Sequence, residues 1–418
     1  MKILWIVNTI FPYPSQQLGY KKNVFGGWLL GLYNSICKNK DIKLAIATTY
    51  NGKKMLKFIN KDTIYYLLPC KNNTKYDKKL EKYWKDIETE FNPDIAHIHG
   101  TEFSHGLAFQ KSCPNIKTVV SIQGIISVYA KNYLSNITYK DILRNLTIRD
   151  ILKNKNIFQE QKDYEKRGKN EIKIIKNSTA IIGRTEWDFA NTYAIARIDK
   201  YYKCNETLRD SFYKGNWDIE KIEKHSIFIS QANYPIKGFH IVLEALNILK
   251  NDYPNIKVYV AGTNILSLST IKENIRKPGY TKYIKSLIKK YNLEKHIYFT
   301  GLLSEEEMAN RLLKSNVFVQ ASSIENSPNS LGEAMLLGVP CIASNVGGTS
   351  TMLKDKEDGF LYPFGDYALL AYYIDQVFKN NDYALKFSKN SQKHANITHN
   401  KKTNENCMIE IYKKIIDK

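Results

Sequence analysis

One stretch of the chain, residues 322–340, reads SSIENSPNSLGEAMLLGVP and follows the apolar run VFVQ of residues 317–320. The apolar run predicts a strand that is buried on both faces. Ser327 is a suitable N-cap, and Pro328 suits the first position of a helix. Glycine favours the left-handed conformation after a helix, and Pro340 prevents the helix from continuing. The stretch therefore predicts a strand, a loop and a short helix, which is the repeating unit of a parallel α/β sheet.

The same alternation of short apolar runs with longer helical patterns extends in both directions along the chain. It predicts helices such as Gly238–Lys250, Tyr280–Tyr291 and Glu305–Lys314. The predicted strands are Ile3–Val7, Lys43–Thr48, Thr63–Leu68, Asp94–Ile98, Lys117–Ile122, Thr179–Gly183, Ser226–Ser230, Lys257–Ala261, Ile297–Thr300, Val317–Gln320, Cys341–Ala343 and Gly359–Tyr362. We therefore predict parallel sheets with helices on both faces.

The alternation of strand and helix patterns is interrupted once, because residues 205–224 are polar and contain no strand pattern. We place a domain boundary there and predict two Rossmann-like domains, 1–210 and 211–394. A C-terminal helix over about 395–418 is predicted to pack back onto the first domain. Ligands of such sheets bind outside the carboxyl ends of the strands, so a cleft between the two domains is the predicted site.

The charge balance of the 418 residues is strongly basic, with 62 Lys and Arg against 41 Asp and Glu. Nucleic acid, an anionic membrane and a phosphorylated substrate are the partners that such a charge suits. Compositional drift is a further explanation, since Lys, Asn, Ile and Tyr are abundant throughout. The basic stretch 139–176 is either a solvated helix face or a membrane contact. No zinc-finger or RNA-binding signature occurs, so we predict no nucleic-acid partner.

The expected compartment is the cytoplasm, with a peripheral position at the inner face of the membrane as an option. The six cysteines lie far apart without paired spacing, which suits reduced thiols. The apolar start of the chain is too short for a signal peptide, and no apolar run approaches the ~20 residues of a membrane span.

The short helix after the 317–320 strand predicts an anion site, because its first amides and its dipole favour a negative group such as a diphosphate. Glu325 precedes this helix and Glu333 lies in its second turn. Carboxylates are poor phosphate ligands but good acceptors for sugar hydroxyls. The alternative is a pair of ordinary surface glutamates.

The spacing of these residues resembles the signature of the family 4 retaining glycosyltransferases, which belong to the group 1 glycosyl transferases of the GT-B superfamily. Two glutamates are separated by seven residues and followed by Ala-Met and Gly-Val-Pro. Further landmarks that resemble the family are Gly26-Gly27, Asp94–Gly100, Val120–Gly124, Lys237-Gly238, Gly262, Phe299–Gly301 and Ala343–Gly348. The resemblance implies the GT-B architecture, in which two Rossmann-like doubly wound domains face each other across a cleft. It assigns acceptor binding to the first domain and nucleotide-sugar binding to the second.

The resemblance also implies roles for individual residues. Glu325 and Lys237 are the expected catalytic groups, since Glu325 faces the donor sugar and Lys237 neutralises the diphosphate. Glu333 is expected to bind the ribose hydroxyls of the nucleotide. Gly27 would let the backbone approach the phosphate, although a simple tight turn explains it too. The full set of expected donor-binding residues is Gly26, Gly27, Gln123, Lys237, Leu303, Glu325, Asn329, Ser330, Leu331 and Glu333.

Two positions depart from the family pattern. Ala232 occupies the place of an arginine that usually precedes the lysine, and Gln123 occupies the place of a histidine. Glutamine can hydrogen-bond a sugar but cannot exchange a proton near neutral pH. Lys237 is therefore expected to neutralise the diphosphate almost alone, unless Arg184 contributes a second cation.

Polar residues that follow two strands of the first domain are the predicted acceptor contacts: His99, Thr101, Glu102 and Arg184. Histidines 97, 99 and 105 also raise the question of a metal site. No cysteine or carboxylate completes a tetrahedral set, so we predict neither a metal ion nor another cofactor.

The sequence thus predicts a hexosyltransferase that moves a sugar from a nucleotide sugar, expected to be a UDP-sugar, to a glycan or lipid-linked acceptor. Capsule, exopolysaccharide or lipopolysaccharide biosynthesis is the setting that the resemblance implies. Two alternatives stay open, because a fold does not fix a function. One is a sugar-nucleotide epimerase or a phosphorylase on the same fold, and the other is a catalytically silent protein that binds a glycan or a nucleotide.

Overall fold

The computed structural model describes residues 1–20, 27–197, 199–265 and 277–417. By their internal contacts the residues form two compact units. Unit 1 comprises Met1–Ala130, Tyr164–Thr207 and His399–Lys418, and unit 2 comprises Lys131–Asp163 and Leu208–Thr398. Each unit is built on one sheet.

Unit 1 contains an eight-stranded sheet in the order β3-β4-β2-β1-β5-β6-β7-β8. Neighbouring strands are parallel except β3 and β4, which pair antiparallel. The strands are β1 (Lys2–Ile6), β2 (Lys43–Tyr50), β3 (Leu56–Asn60), β4 (Thr63–Pro69), β5 (Ile95–His99), β6 (Thr118–Ser121), β7 (Ala180–Gly183) and β8 (Tyr201–Lys203).

Unit 2 contains a six-stranded parallel sheet in the order β11-β10-β9-β12-β13-β14. Strand order reverses beside β9, which pairs with β10 on one side and β12 on the other. Such a switch point is where open α/β sheets bind ligands. The strands are β9 (Glu223–Ile229), β10 (Lys257–Ala261), β11 (Ile297–Gly301), β12 (Ser315–Gln320), β13 (Cys341–Ser344) and β14 (Gly359–Tyr362).

Helices alternate with these strands along the chain. The described α-helices are α1 (Pro12–Gln17), α2 (Gly27–Ile36), α3 (Leu80–Phe91), α4 (His105–Ser112), α5 (Ile126–Tyr129), α6 (Tyr139–Arg144), α7 (Ile148–Leu152), α8 (Ile157–Asn177), α9 (Glu186–Ala196), α10 (Phe239–Leu249), α11 (Gly279–Lys290), α12 (Glu305–Leu313), α13 (Asn329–Leu336), α14 (Thr349–Met352), α15 (Tyr367–Lys379), α16 (Asn381–Thr398) and α17 (Lys401–Ile416). Short 3-10 helices occur at Ala130–Asn132, Asp210–Tyr213, Pro235–Lys237 and Glu294–His296. In the described part of the chain, no helix combines the length and the apolar character that a membrane span needs.

The sheet of unit 1 is covered by apolar side chains on both faces. Successive residues of β1 alternate between two buried clusters, as the period of a strand requires. Leu4 and Ile6 join the cluster that contains Trp84 of α3. Ile3 and Trp5 join the other, which contains Tyr412 of α17. The last helix therefore supplies part of the core of unit 1.

The predicted α/β fold is confirmed, since every predicted strand is present within a few residues of its expected ends. Two edge strands were missed. β3 is an antiparallel edge strand with charged and polar residues, and β8 has only three residues. Neither has the apolar run that marked the buried parallel strands.

The predicted domain ranges and the cleft between the domains stay predictions. Apart from shifts of three or four residues at other boundaries, the contact units differ from those ranges in one segment, because residues 131–163 belong to unit 2 although they precede the predicted boundary at 210. Their basic, helix-compatible sequence contained no signal for this placement.

Candidate functional site

Lys237 is the last residue of the 3-10 helix Pro235–Lys237 that follows β9, and a tight contact at the next residue fixes the backbone there. The following residue, Gly238, has a left-handed φ of 64°. A Cβ atom on Gly238 would lie 1.7 Å from the carbonyl oxygen of Ala321, so only glycine fits there. The amide of Ser323 also donates to Ile236 O at 2.8 Å. These contacts bring Lys237 to the loop that follows β12.

Lys237 and Glu325, the two expected catalytic groups, form an ion pair. Lys237 Nζ donates to Glu325 Oε1 at 2.5 Å, and Ser322 Oγ donates to the same oxygen at 2.7 Å. Burial lowers the pKa of Lys237, but the charge of Glu325 and the neighbouring Tyr234 outweigh burial and raise this pKa above its usual value. The ammonium group is therefore charged at neutral pH.

The loop 346–348 holds the backbone of Glu325 from the other side. The amide of Gly348 donates to Glu325 O at 3.0 Å. Gly347 has a φ of 55°, and a Cβ atom there would lie 1.8 Å from Glu325 O. The glycines that the sequence marked in 343–348 thus allow close packing against the loop before α13.

Helix α13 begins one residue later than predicted, because Pro328 is its N-cap residue and Asn329 its first residue. Ser327 was wrongly expected to cap it, since Ser327 Oγ donates to Met352 Sδ at 3.3 Å instead. The amide of Leu331 donates to Pro328 O at 3.0 Å and so already has a partner in the first turn. Asn329 and Ser330 remain as the predicted phosphate-binding amides.

Glu333 forms a bidentate ion pair with Arg209. Arg209 Nε donates to Glu333 Oε1 at 2.7 Å, and Nη2 donates to Oε2 at 2.7 Å. The guanidinium also stacks 4.7 Å from the ring of Phe212. Burial lowers the pKa of Arg209 and raises that of Glu333, but the ion pair outweighs burial for the guanidinium, whose pKa rises. The guanidinium is therefore charged at neutral pH, and its two hydrogen bonds hold the carboxyl group of Glu333 in one orientation.

Sequence reasoning missed Arg209. It lies in the polar stretch that was interpreted as a domain boundary, 124 residues before its partner. No spacing rule connects residues so far apart.

The other expected donor residues are dispersed. Gly26 lies outside the described residues, and Gly27 is the first residue of α2. Leu303 is half-buried after β11, and Gln123 lies after β6 of unit 1. Lys237, Glu325, Asn329, Ser330, Leu331 and Glu333 all lie in unit 2, on or beside the loops at the carboxyl ends of β9 and β12.

A second polar cluster lies after β6 and β7 of unit 1. Arg184 pairs with Glu206 Oε2 at 2.5 Å and donates from Nη2 to Ile122 O at 2.8 Å. Gln123 Nε2 donates to Glu206 Oε1 at 2.7 Å. Gln123 and Arg184, expected to contact donor and acceptor respectively, therefore share one carboxylate. Glu206 is a further residue that the sequence did not single out.

Thr101 has a structural partner rather than an open hydroxyl. Thr101 Oγ1 donates to Glu171 Oε2 at 2.7 Å. The same buried carboxylate accepts from the amides of Ile126 and Ser127 at 2.8 and 2.9 Å. Thr101 is only 1% exposed, so the structure gives no support to the prediction that it contacts the acceptor.

Glu102 is a half-buried carboxylate with an unusual pKa. Burial raises the pKa from 4.5 to about 7, and the nearby charge of Glu171 acts in the same direction. Asn8 Nδ2 donates to Glu102 Oε2 at 2.7 Å. The group can therefore change its charge near neutral pH.

We expect Glu102→Gln to stabilise the protein in a pH-dependent way. In wild-type protein the folded state holds the Glu102 proton up to about pH 7, whereas the unfolded chain releases it near pH 4.5. The contribution of Glu102 to the free energy of unfolding is thus fully present below pH 4.5 and is lost as the pH rises through 7. At about 1.4 kcal/mol per pKa unit, the variant should gain up to about 3 kcal/mol over wild type at pH 8. Urea unfolding at pH 4 and pH 8 measures this, and an equal difference at both pH values contradicts it.

The three histidines of β5 and the start of α4 have different environments. The His97 ring is hydrogen-bonded to Tyr412 Oη at 2.6 Å and to Ser121 Oγ at 2.7 Å. His105 Nε2 is hydrogen-bonded to Val7 O at 3.1 Å. His99 stacks on His97 at 3.7 Å, and its ring nitrogens have no partner among the described residues. Burial lowers the pKa of His99 far below its usual value, so the ring is neutral.

His99 also lines a small cavity together with Trp28, Ser121, Arg184 and Glu206. Within the described ranges, no three His, Cys, Asp or Glu side chains are arranged to hold a metal ion. The absence of a metal therefore stays a prediction about the protein in solution.

Comparison with known proteins finds a family similarity for most of unit 2. Residues 212–394 match the family model of the glycosyl transferases group 1. The second unit is thus similar in sequence to the glycosyl transferases group 1, and its parallel α/β sheet is of the Rossmann-like type found in the GT-B architecture.

Individual relatives support this class. Protein CapJ of Staphylococcus aureus is 25% identical over 243 residues, which are 53% of this chain and 54% of CapJ. UDP-Gal:alpha-D-GlcNAc-diphosphoundecaprenol alpha-1,3-galactosyltransferase of Escherichia coli is 37% identical over 75 residues, which are 18% of this chain and 19% of that enzyme. The chain therefore spans about half or less of the length of these curated relatives.

The fold of the chain matches solved structures more completely. Sucrose-phosphate synthase (tll1590) from Thermosynechococcus elongatus superimposes with a TM-score of 0.74 at 15% identity, over 100% of this chain and 99% of that one. At this identity the match establishes the fold and leaves the substrates open.

Proposed function

We propose that the protein is a retaining glycosyltransferase of family 4 that transfers a hexose from a nucleotide sugar to a glycan or lipid-linked saccharide in the cytoplasm, with a UDP-sugar as the donor. The observation that carries the proposal is the arrangement at the carboxyl ends of β9 and β12. There a charged Lys237 is paired to Glu325, and Glu333 is fixed by Arg209 on the helix that follows. The relative from Escherichia coli, whose name states a UDP-Gal donor and a lipid diphosphate acceptor, supports the substrate classes.

In this proposal the leaving diphosphate takes the place of Glu325 as the partner of Lys237. The lysine would donate to phosphate oxygens, and the first amides of α13 would add the positive end of the helix dipole. These groups stabilise negative charge as it develops on the leaving group, which lowers the barrier to transfer.

Glu325, released from Lys237, would accept hydrogen bonds from hydroxyls of the donor sugar. Glu333 would accept from the ribose, because each carboxylate oxygen keeps a second lone pair beside the bond from Arg209. Both carboxylates are thus assigned to hydroxyl groups. We therefore propose attack from the face of the leaving group, with no covalent intermediate on either residue.

The function is tested by incubating the protein with UDP-glucose, UDP-galactose and UDP-N-acetylglucosamine together with a lipid-diphosphate saccharide. Transfer should release UDP only when the acceptor is present and should continue after treatment with a chelator, because protein groups neutralise the diphosphate. UDP release without transfer, a new nucleotide sugar without an acceptor, or turnover that requires added Mg²⁺ would each overturn the proposed reaction or its metal-free mechanism.

A further inference from the structure

Large apolar side chains are exposed in an unusual concentration on α6 and α7. Of the sixteen exposed large apolar residues among those described, five lie within residues 139–152. The five are Tyr139 (68% exposed), Leu143 (60%), Ile148 (58%), Ile151 (70%) and Leu152 (79%). We call these five residues the apolar patch.

The spacing of the apolar patch places its members on one face of each short helix. Tyr139 and Leu143 are four residues apart on α6, and Ile148, Ile151 and Leu152 follow the i, i+3, i+4 pattern on α7. Amphipathic helices of globular domains turn such a face toward the core. Here the apolar faces are turned to solvent, which marks an interaction surface.

The opposite faces of α6 and α7 are anchored within unit 2. Ile142 and Asp150 are buried, at 3% and 1% exposure. Thr147 Oγ1 donates to Lys277 O at 3.0 Å. A Cβ atom on Gly279 would lie 2.7 Å from Asp150 Oδ2, so the start of α11 packs closely against α7. The helices are therefore fixed in the orientation that exposes the patch.

Basic residues surround the apolar patch. Residues 139–155 contain five Lys or Arg and two Asp, and one of the two, Asp150, is buried beside Arg149 at 3.3 Å. The exposed basic side chains of this segment are Lys140, Arg144, Lys153 and Lys155. Lys282 of α11 adds a further ammonium, which donates to Arg144 O at 3.2 Å.

We propose that α6 and α7 form a docking surface for an anionic lipid bilayer, into whose interface the apolar patch inserts while the basic side chains contact lipid headgroups. The combination of an apolar face with flanking Lys and Arg is the one that interfacial membrane helices use. The charge of the surface favours anionic lipid over a second copy of this basic chain.

This surface is narrower than the basic stretch 139–176, and its chemistry differs from purely electrostatic binding. Arg167, for example, donates from Nη2 to Glu102 O at 2.8 Å and stacks on Tyr164, so its guanidinium contacts other residues of unit 1. If the apolar side chains insert into the bilayer, salt should weaken membrane binding without abolishing it.

The test is flotation of the full chain with phosphatidylcholine vesicles that do or do not contain phosphatidylglycerol, at low and at high salt. Wild-type protein should float only with the anionic vesicles, and a bound fraction should remain at high salt. Leu143→Asp combined with Leu152→Asp should reduce binding at least roughly tenfold at both salt concentrations. Lys140→Glu combined with Lys153→Glu should reduce it about tenfold or more at low salt.

Matched controls lie on α16 of the same unit. Leu385 and Ile397 are 49% and 69% exposed, so Leu385→Asp combined with Ile397→Asp makes the corresponding double change outside the patch. Lys389→Glu combined with Lys393→Glu reverses two exposed charges there. Both controls should bind like wild type, and thermal unfolding should be the same for all variants because every changed side chain is exposed.

Three outcomes would overturn the proposal. They are no flotation of wild-type protein with anionic vesicles, equal losses in the controls, and an apolar-patch variant that keeps vesicle binding but loses self-association in sedimentation. The assay needs no sugar substrate, so its result is independent of the proposed transfer reaction.

Discussion

Lys237→Ala should reduce turnover at least about a hundredfold. A charge-assisted hydrogen bond to phosphate contributes roughly 1.5–3 kcal/mol, and about 3 kcal/mol corresponds to more than a hundredfold in rate. The structure adds a second reason, because the substitution leaves Glu325 without its cationic partner. An unpaired carboxylate beside the diphosphate site would repel the leaving group. Affinity for UDP should fall far more than affinity for uridine, which has no phosphates.

A second lysine ion pair in the same unit provides the control. Lys257 Nζ donates to Glu223 Oε1 at 2.6 Å, but it lies at the start of β10, away from the carboxyl ends of the strands. Lys257→Ala should therefore keep near-normal turnover. If Lys237→Ala retains more than about a tenth of wild-type turnover, another cation neutralises the diphosphate. Arg184, the alternative considered from the sequence, is buried and paired with Glu206.

Arg209→Ala should have the largest effect on stability. Removing one partner of a buried ion pair typically costs about 3–5 kcal/mol, because the remaining charge is left uncompensated. The side chains of Arg209 and Glu333 are only 16% and 4% exposed, and both hydrogen bonds of the pair are lost. Urea unfolding at neutral pH measures the loss in the free energy of unfolding. Nucleotide affinity should also fall, since Glu333 loses the contact that fixes its orientation.

Arg311→Ala is the matched control for Arg209→Ala. Arg311 is equally exposed at 16%, but its partner Glu223 is 29% exposed and also pairs with Lys257. Its removal should cost about 1 kcal/mol or less. Adding Glu333→Leu to Arg209→Ala should recover part of the lost stability, because the unpaired charge is then absent. Equal losses for Arg209→Ala and Arg311→Ala would contradict a strongly coupled buried pair.

The sequence predicted the parallel α/β fold because its buried strands carry continuous apolar runs, as in β12 and β13. The conformation of Gly338 was also predictable, since it adopts the left-handed φ expected of a glycine that follows a helix. Edge strand β8 has no such signal, because none of its three residues is buried and no apolar pattern is needed.

In the candidate site, the sequence could not predict most contacts between side chains that lie far apart along the chain. The pairing of Lys237 with Glu325 joins two motifs that the sequence had already marked, so their proximity at adjacent strand ends was predictable. Arg209 and Glu206 lie in or beside the polar connecting stretch, where no periodicity indicates a partner. The solvent exposure of the apolar faces of α6 and α7 was also not predictable from the sequence, because apolar spacing on a helix normally predicts burial.

The most direct test of the nucleotide-sugar site is a calorimetric titration of UDP into wild-type protein, Glu325→Ala and Glu333→Ala, with folding checked by thermal unfolding. Glu333→Ala should weaken UDP roughly tenfold to a hundredfold, because a charged hydrogen bond to ribose is lost. Glu325→Ala should bind UDP as well as wild type or better, since Lys237 is then free for the diphosphate, while turnover falls. Failure of wild-type protein to bind UDP or any other nucleoside diphosphate, or an equal loss of affinity in both variants, would contradict the assignment of these residues.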